Sequence, residues 1–128
     1  MARICVTILG CGSSGGVPRI GNLWGDCDPA NPKNRRSRCS LLVERMADGG
    51  TTTVLSETSP DVRAQLLAAK VTGLDAVVYT HNHADHVHGI DDLRQVVIHN
   101  RRRLPVWADP DTQEALFNRF GYAFVQPE

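Results

Sequence analysis

Four of the five histidines of this chain fall in one segment, Thr80-His81-Asn82-His83-Ala84-Asp85-His86-Val87-His88-Gly89. A short apolar run rich in β-branched residues precedes it, Leu74-Asp75-Ala76-Val77-Val78-Tyr79, and is typical of a buried strand. Apolar residues recur at helical spacing after it, at Ile90, Leu93 and Val97. We therefore expect the histidines on a loop between a strand and a helix, where α/β proteins commonly place a functional site.

The spacing of these side chains predicts metal binding. His81 and His83 lie two residues apart, so in an extended segment both imidazoles leave the same side and can chelate one ion. Asp85 and His86 follow where the chain turns toward the helix, and they can face a second ion. Imidazole nitrogens with one carboxylate oxygen suit zinc, manganese or iron rather than calcium or magnesium. The alternative is a solvated histidine-rich loop with adventitious metal affinity.

The segment from Thr80 to His86 resembles the HxHxDH signature of the metallo-β-lactamase superfamily. Two further segments resemble the branch that holds phosphoribosyl cyclic phosphodiesterase, namely Gly89-Ile90-Asp91-Asp92-Leu93-Arg94 and Gly10-Cys11-Gly12-Ser13-Ser14-Gly15-Gly16-Val17-Pro18-Arg19. The resemblance runs from Ile4 to about Phe124, and ribonuclease Z is a more distant relative. It implies an α/β fold, the amino-terminal part of an αββα sandwich with a mixed sheet and flanking helices.

The same resemblance implies a function and a set of ligands. The function is that of a metal-dependent hydrolase, foremost a phosphodiesterase that attacks a small cyclic phosphate or nucleotide-like phosphodiester with a metal-bound hydroxide. The implied ligands of Zn²⁺ or Mn²⁺, with two ions in the intact family site, are His81, His83, Asp85 and His86. Asp85 is also the implied catalytic residue, because it would hold the second ion and orient the nucleophile.

Three further family ligands, two histidines and a bridging aspartate, arise downstream of the last residue of this sequence. A truncated, non-catalytic fragment that binds metal or a nucleotide therefore stays open as the alternative function. Half of a two-sheet sandwich would leave an apolar sheet face uncovered. We therefore expect a homodimer, poor solubility or a missing carboxyl-terminal half.

A glycine-rich segment, Gly10-Cys11-Gly12-Ser13-Ser14-Gly15, follows a predicted strand over residues 3–9 and matches the pattern GxGxxG. A dinucleotide-binding fingerprint needs a helix that opens at once, and Gly16-Val17-Pro18 shows no helical period. We expect the glycines to let the backbone pass close to the metal site instead. In the resembling family this loop borders the active site, so Ser13 and Ser14 would offer hydroxyls or amides to a phosphate. A plain tight turn is the other interpretation.

Two charged features bear on the site. Lys33, Arg35, Arg36 and Arg38 form a basic cluster that either steers a phosphate substrate or is a solvated face. In the resembling family the strand before the first helix commonly ends in Asp, and here Glu57 stands in that segment. Because the extra methylene displaces the carboxylate, we expect weaker support of the metal ligands.

Length and composition limit the remaining possibilities. The 128 residues predict one domain over residues 1–128, expected to be incomplete, and the zero formal net charge gives no general attraction to nucleic acid or anionic membranes. No apolar run approaches the roughly 20 residues of a membrane span, and no secretory leader is visible. A cytoplasmic location and free thiols at Cys5, Cys11, Cys27 and Cys39 are therefore predicted.

Overall fold

The computed structural model describes residues 1–125 as one mixed five-stranded sheet with helices packed on it. The strands, in the spatial order β1-β2-β3-β4-β5, are β1 (Arg3–Gly10), β2 (Ser40–Ala47), β3 (Gly50–Ser56), β4 (Ala76–Val78) and β5 (Val106–Trp107). The α-helices are α1 (Val62–Ala68), α2 (Ala84–Val87), α3 (Leu93–Asn100) and α4 (Pro110–Phe120). Short 3-10 turns cover Pro32–Asn34, Ile90–Asp92 and Gly121–Phe124. The predicted α/β class with a mixed sheet and flanking helices is confirmed.

The direction of each strand follows from the connection before it. Asp48-Gly49-Gly50 is a hairpin turn signal in the sequence. Strands β1, β2 and β3 pair antiparallel, and residues 48 and 49 make the β2–β3 hairpin at this signal. Strands β3, β4 and β5 pair parallel, because a helical segment carries the chain back each time. Asp109 followed by Pro110 predicts a helix start, and α4 begins there, where Asp109 accepts a hydrogen bond from the Thr112 amide.

One face of the sheet forms the core with the helices. Leu42, Leu55 and Val77 lie opposite one another on β2, β3 and β4 and are almost fully buried. The same cluster includes Val62 of α1 and Leu93 of α3. In the sequence, Ser59 followed by Pro60 predicts a helix start, with Val62, Leu66 and Leu67 as the buried stripe. Helix α1 begins later, with Asp61 at its N-cap, and Leu67 is exposed while Gln65 is buried.

The other sheet face is uncovered in the described part of the chain. Because successive strand side chains alternate between faces, Ile8 on β1, Val78 on β4 and Trp107 on β5 share this face. These side chains are exposed, as is Val6 beside Ile8, with 56% of Val6 and 68% of Ile8 accessible. The expectation of an uncovered apolar face is therefore confirmed for these residues. None of the helices within residues 1–125 has the length and apolar character needed to cross a membrane.

Candidate metal centre

The histidine loop (residues 80–89) leaves the carboxyl end of β4 and contains α2. Tyr79 is buried before it, and its hydroxyl oxygen lies 2.7 Å from Thr58 Oγ1. Burial raises the pKa of Tyr79 above its ordinary range, so this hydroxyl stays protonated as a neutral hydrogen-bonding group. The predicted position between a strand and a helix is confirmed, and α2 is the turn on which Asp85 and His86 lie.

Three of the predicted ligands lie side by side. The ring centre of His81 is 4.6 Å from that of His83 and 4.1 Å from that of His86. Nδ1 of His81 lies 2.8 Å from Thr80 Oγ1, so Nε2 is the ring nitrogen left for a ligand. The structure thus brings together the imidazoles that the sequence selected.

Asp85 adds the carboxylate to this group. Its Oδ2 lies 3.3 Å from Nε2 of His86. Two donors on one tetrahedral zinc, at bond lengths of about 2.1 Å, stand roughly 3.4 Å apart. The Asp85–His86 pair therefore fits two ligands of one transition-metal ion in both donor type and spacing. However, no three His, Cys, Asp or Glu side chains within residues 1–125 form a group that could hold an ion by themselves.

Glu57 links the end of β3 to the histidine loop. It is 3% exposed, and its Oε1 accepts a hydrogen bond of 2.8 Å from the Thr80 amide. Its Oε2 lies 3.2 Å from Nδ1 of His86, and both atoms are buried with no hydrogen-bond partner within residues 1–125. The longer side chain thus reaches the loop backbone and brings its second oxygen close to the imidazole, while the weaker support of the metal ligands stays a prediction. A backbone φ of 71° at Glu57 accompanies this reach.

The neighbouring Thr58 fixes the histidine loop through its backbone. Its amide donates to the carbonyl of His86 at 2.9 Å, and its carbonyl accepts from the amide of Gly89 at 2.9 Å. A Cβ at Gly89 would collide with the Ser59 carbonyl oxygen, so only glycine permits this approach. The sequence could have indicated that residues 57–59 lie near the histidine loop. They follow β3, the histidine loop follows β4, and the carboxyl ends of adjacent parallel strands share one edge of the sheet.

The glycine loop (residues 10–16) packs against the backbone that leads into β2. A Cβ at Gly12 would lie 2.7 Å from the Ser37 carbonyl oxygen, so the close approach is to this segment rather than to the histidines. No helix opens after the loop, which agrees with the rejection of a dinucleotide fingerprint. Ser13 and Ser14 are exposed in the turn that the Gly16 amide closes onto the Ser13 carbonyl. Their contact with a phosphate stays a prediction.

The basic cluster divides into separate environments. Arg38 forms a two-point ion pair with Asp61, at 2.6 Å and 3.1 Å, and is only partly exposed. Arg35 is exposed, with its guanidinium 5.2 Å from the centre of the Trp24 ring. Arg36 is exposed and exchanges two backbone hydrogen bonds with Val17. Arg35 and Arg36 are therefore solvated, whereas Arg38 is ion-paired and only partly exposed.

The two unassigned histidines and the four cysteines make no contact described for the proposed metal ligands within residues 1–125. His88 stacks edge-on against Phe120 with ring centres 5.5 Å apart, and His99 is exposed on α3. All four cysteines are free, as predicted. Burial, with smaller contributions from Glu57, Asp85 and Cys11, raises the pKa of Cys39, so this thiol is held protonated.

Comparison with known proteins decides the family. Residues 52–128, which include the histidine loop, match the family described as "Beta-lactamase superfamily domain". The chain belongs to the metallo-β-lactamase superfamily. Within this superfamily, the crystal structure of a diphosphatase from the PhnP family is 40% identical and superimposes with a TM-score of 0.83 over 97% of this chain and 49% of that one. Zn²⁺-bound PqqB from Methylobacterium extorquens, at 23% identity and a TM-score of 0.65, shares the metallo-β-lactamase fold over 93% of this chain and 40% of that one.

Curated relatives of this superfamily member have different names. An octanoyltransferase of Porphyromonas gingivalis is 40% identical over 117 residues, which are 91% of this chain and 23% of that protein. Coenzyme PQQ synthesis protein B of Pseudomonas putida is 31% identical over 70% of this chain and 33% of its own length. The chain spans less than half the length of each of these relatives. Their names therefore do not by themselves assign its reaction.

Proposed function

We propose that this metallo-β-lactamase superfamily hydrolase cleaves small phosphodiesters, such as a cyclic ribose phosphate or a nucleotide-like diester, with a divalent transition metal. The observation that supports it most is the pairing of Asp85 and His86, whose donor atoms lie 3.3 Å apart beside the two other imidazoles. The 40% identity to a PhnP-family diphosphatase supports phosphoryl rather than acyl chemistry. The octanoyltransferase name weighs less, because this chain aligns with 23% of that protein.

The residues have separate tasks in this proposal. His81 and His83 would hold one ion, and Asp85 and His86 a second, with Zn²⁺ or Mn²⁺ as the candidates. When bound, such an ion supplies Lewis acidity, which lowers the pKa of water and polarises a phosphoryl oxygen. Glu57, whose Oε2 lies 3.2 Å from Nδ1 of His86, would hold the proton on that nitrogen, so that Nε2 keeps its lone pair toward the ion. Asp85 would also orient the attacking water.

The test is hydrolysis of bis(p-nitrophenyl) phosphate with added manganese or zinc, beside a p-nitrophenyl acyl ester under the same conditions. We expect turnover of the phosphodiester, lost in His83→Ala and retained in His99→Ala, since His99 is an exposed histidine outside the site. Turnover of the acyl ester alone would reject phosphoryl chemistry. No turnover of either by a folded, metal-loaded protein would reject activity of this chain.

One observation favours a second candidate, metal binding without turnover. The described residues contribute pairs of donors rather than a group of three, so each ion would take much of its shell from water. Metal uptake that is lost in His83→Ala, without hydrolysis of either ester, would support this candidate.

A further inference from the structure

Arg38 lies between the glycine loop and the start of α1. Its Cδ is 3.4 Å from the position that a Cβ would take at Gly16, so the arginine stem runs along the glycine loop. Its side chain is 27% exposed. Hydrogen bonding to Asp61 raises the pKa of Arg38, and the charge of Asp85 adds to that rise. The guanidinium is therefore a permanent positive charge beside the glycine loop.

Asp61 fixes the orientation of this guanidinium. Its Oδ2 accepts hydrogen bonds from both the backbone amide and Nε of Arg38, at 2.9 Å and 2.6 Å, and its Oδ1 accepts from Nη2 at 3.1 Å. A two-point contact of this kind uses one edge of the planar fork. Among residues 1–125, no acceptor bonds to Nη1 at the other end of the guanidinium, so this nitrogen can donate to another group.

The carbonyl of Arg38 is held as well. Nε2 of Gln65 donates to it at 2.7 Å, and Oε1 of Gln65 accepts from the hydroxyl of Ser59 at 3.0 Å. Gln65 and Ser59 are both buried. Arg38 is thus anchored at both its backbone and its head group to the segment that also supports the histidine loop. Arg35 and Arg36 lack this ion pair and are exposed, which distinguishes Arg38 within the basic cluster.

We propose that Arg38 is a substrate-binding residue that donates to a non-bridging phosphoryl oxygen, and that Asp61 is the positioning residue for its guanidinium. The inference rests on the proposed phosphodiesterase function and deepens it, because it names the group that would favour an anionic phosphodiester over a neutral ester. The N–H groups of an arginine that are not used by its carboxylate partner can donate to the oxygens of a tetrahedral phosphate. No chemical step is assigned to Arg38, which binds and orients the anion.

The test uses a charge-neutral double variant, Arg38→Gln with Asp61→Asn. It removes one positive and one negative charge, so the net charge is unchanged and no buried partner is left unpaired. Binding of inorganic phosphate to chelator-treated protein is followed by phosphorus NMR, and folding by circular dichroism. We expect the phosphate Kd to rise about 10- to 100-fold in the double variant, the loss of one charge-assisted contact. Arg36→Gln, the matched control, should leave the Kd unchanged.

The role of Asp61 has its own readout. In Asp61→Asn the guanidinium keeps its charge but loses its orientation, so we expect KM for bis(p-nitrophenyl) phosphate to rise with little change in kcat. Asp61→Glu should restore part of the loss. A variant with wild-type KM would reject the positioning role.

The other possible results separate the Arg38 site from the proposed reaction. Wild-type phosphate affinity in the folded double variant would overturn the inference, as would an equal loss in Arg36→Gln or the absence of phosphate binding by the wild-type protein. Arg38-dependent phosphate binding without phosphodiester turnover would reject the proposed reaction and keep the anion site. Turnover with unchanged KM in the double variant would keep the reaction and reject the site.

Discussion

Glutamine at position 57 gives a sharp test of how the candidate metal centre is supported. The change is nearly isosteric, and the Oε1 atom of the new amide can still accept the 2.8 Å hydrogen bond from the Thr80 amide. The other terminal atom becomes an NH₂ group, which would donate toward Nδ1 of His86 across the present 3.2 Å gap. The imidazole would then carry its proton on Nε2 and lose the lone pair that faces the proposed ion.

The size of the expected loss in metal affinity follows from that change of tautomer. Loss of a carboxylate that orients a histidine ligand costs roughly 10- to 100-fold in metal affinity, or about 1.4 to 2.7 kcal/mol. The free energy of unfolding without metal should change less, because the Thr80 contact survives. Glu57→Ala should lower the free energy of unfolding by about 1–3 kcal/mol more than Glu57→Gln does, since the Thr80 amide loses its acceptor.

Zinc affinity would be measured by competition with a chromophoric chelator, and the His86 tautomer by heteronuclear NMR of the imidazole nitrogens. Glu44→Gln on β2 is the matched control, because Glu44 lies in the sheet away from the histidine loop. Equal zinc affinity in Glu57→Gln and wild-type protein would refute the reasoning. So would a wild-type His86 with its proton on Nε2.

Three further predictions follow from the fold. Gly89→Ala should destabilise the protein by about 1–3 kcal/mol, because its Cβ would overlap the backbone of Ser59, whereas Gly49→Ala in open space should stay within about 0.5 kcal/mol in chemical denaturation. Val6→Lys should raise the solubility limit and lower dye binding by the uncovered sheet face, and Leu67→Lys on the helical side should do neither. The arginine partner lowers the pKa of Asp61, so this carboxylate stabilises the fold above pH about 4 and loses that contribution as pH falls through its lowered pKa. Asp61→Asn should therefore flatten the acid limb of the stability curve, and an unchanged limb would contradict the assignment.

Local patterns were sufficient to predict most elements from the sequence. Alternation over residues 3–9, the turn signal at Asp48-Gly49-Gly50 and the Asp109 cap each act through neighbours in the chain, and each appears in the structure. The start of α1 lies later than the sequence predicts. The Ser59 hydroxyl accepts from the Asp61 amide, as a capping hydroxyl does, and donates to Gln65, but regular helical geometry begins only after Asp61.

The residues of the candidate site also differ in how far local sequence predicts them. His81, His83, Asp85 and His86 are close in sequence, and their spacing alone brings them together. The position of Glu57 after β3 could be read from the sequence, but the reach of its side chain could not, because that reach depends on a left-handed backbone conformation and on the parallel pairing of β3 with β4. When the strand pairing is unknown, the longer side chain of Glu57 suggests a carboxylate displaced from the site. With β3 paired to β4, the additional length lets Glu57 reach from the end of β3 to the Thr80 amide after β4.

The support of the histidine loop and the uncovered sheet face are structurally separate. The loop is anchored through Glu57 and Thr58, and Val87 and Ile90 of the loop region are buried in the helical layer of the core. None of these contacts involves the exposed side chains of Val6 or Ile8. A charge placed on that face should therefore change association and solubility while the spacing of the Asp85–His86 pair stays the same. Zinc affinity that fell in Val6→Lys as much as in Glu57→Gln would mean that the sheet face, and whatever covers it, helps to form the metal centre.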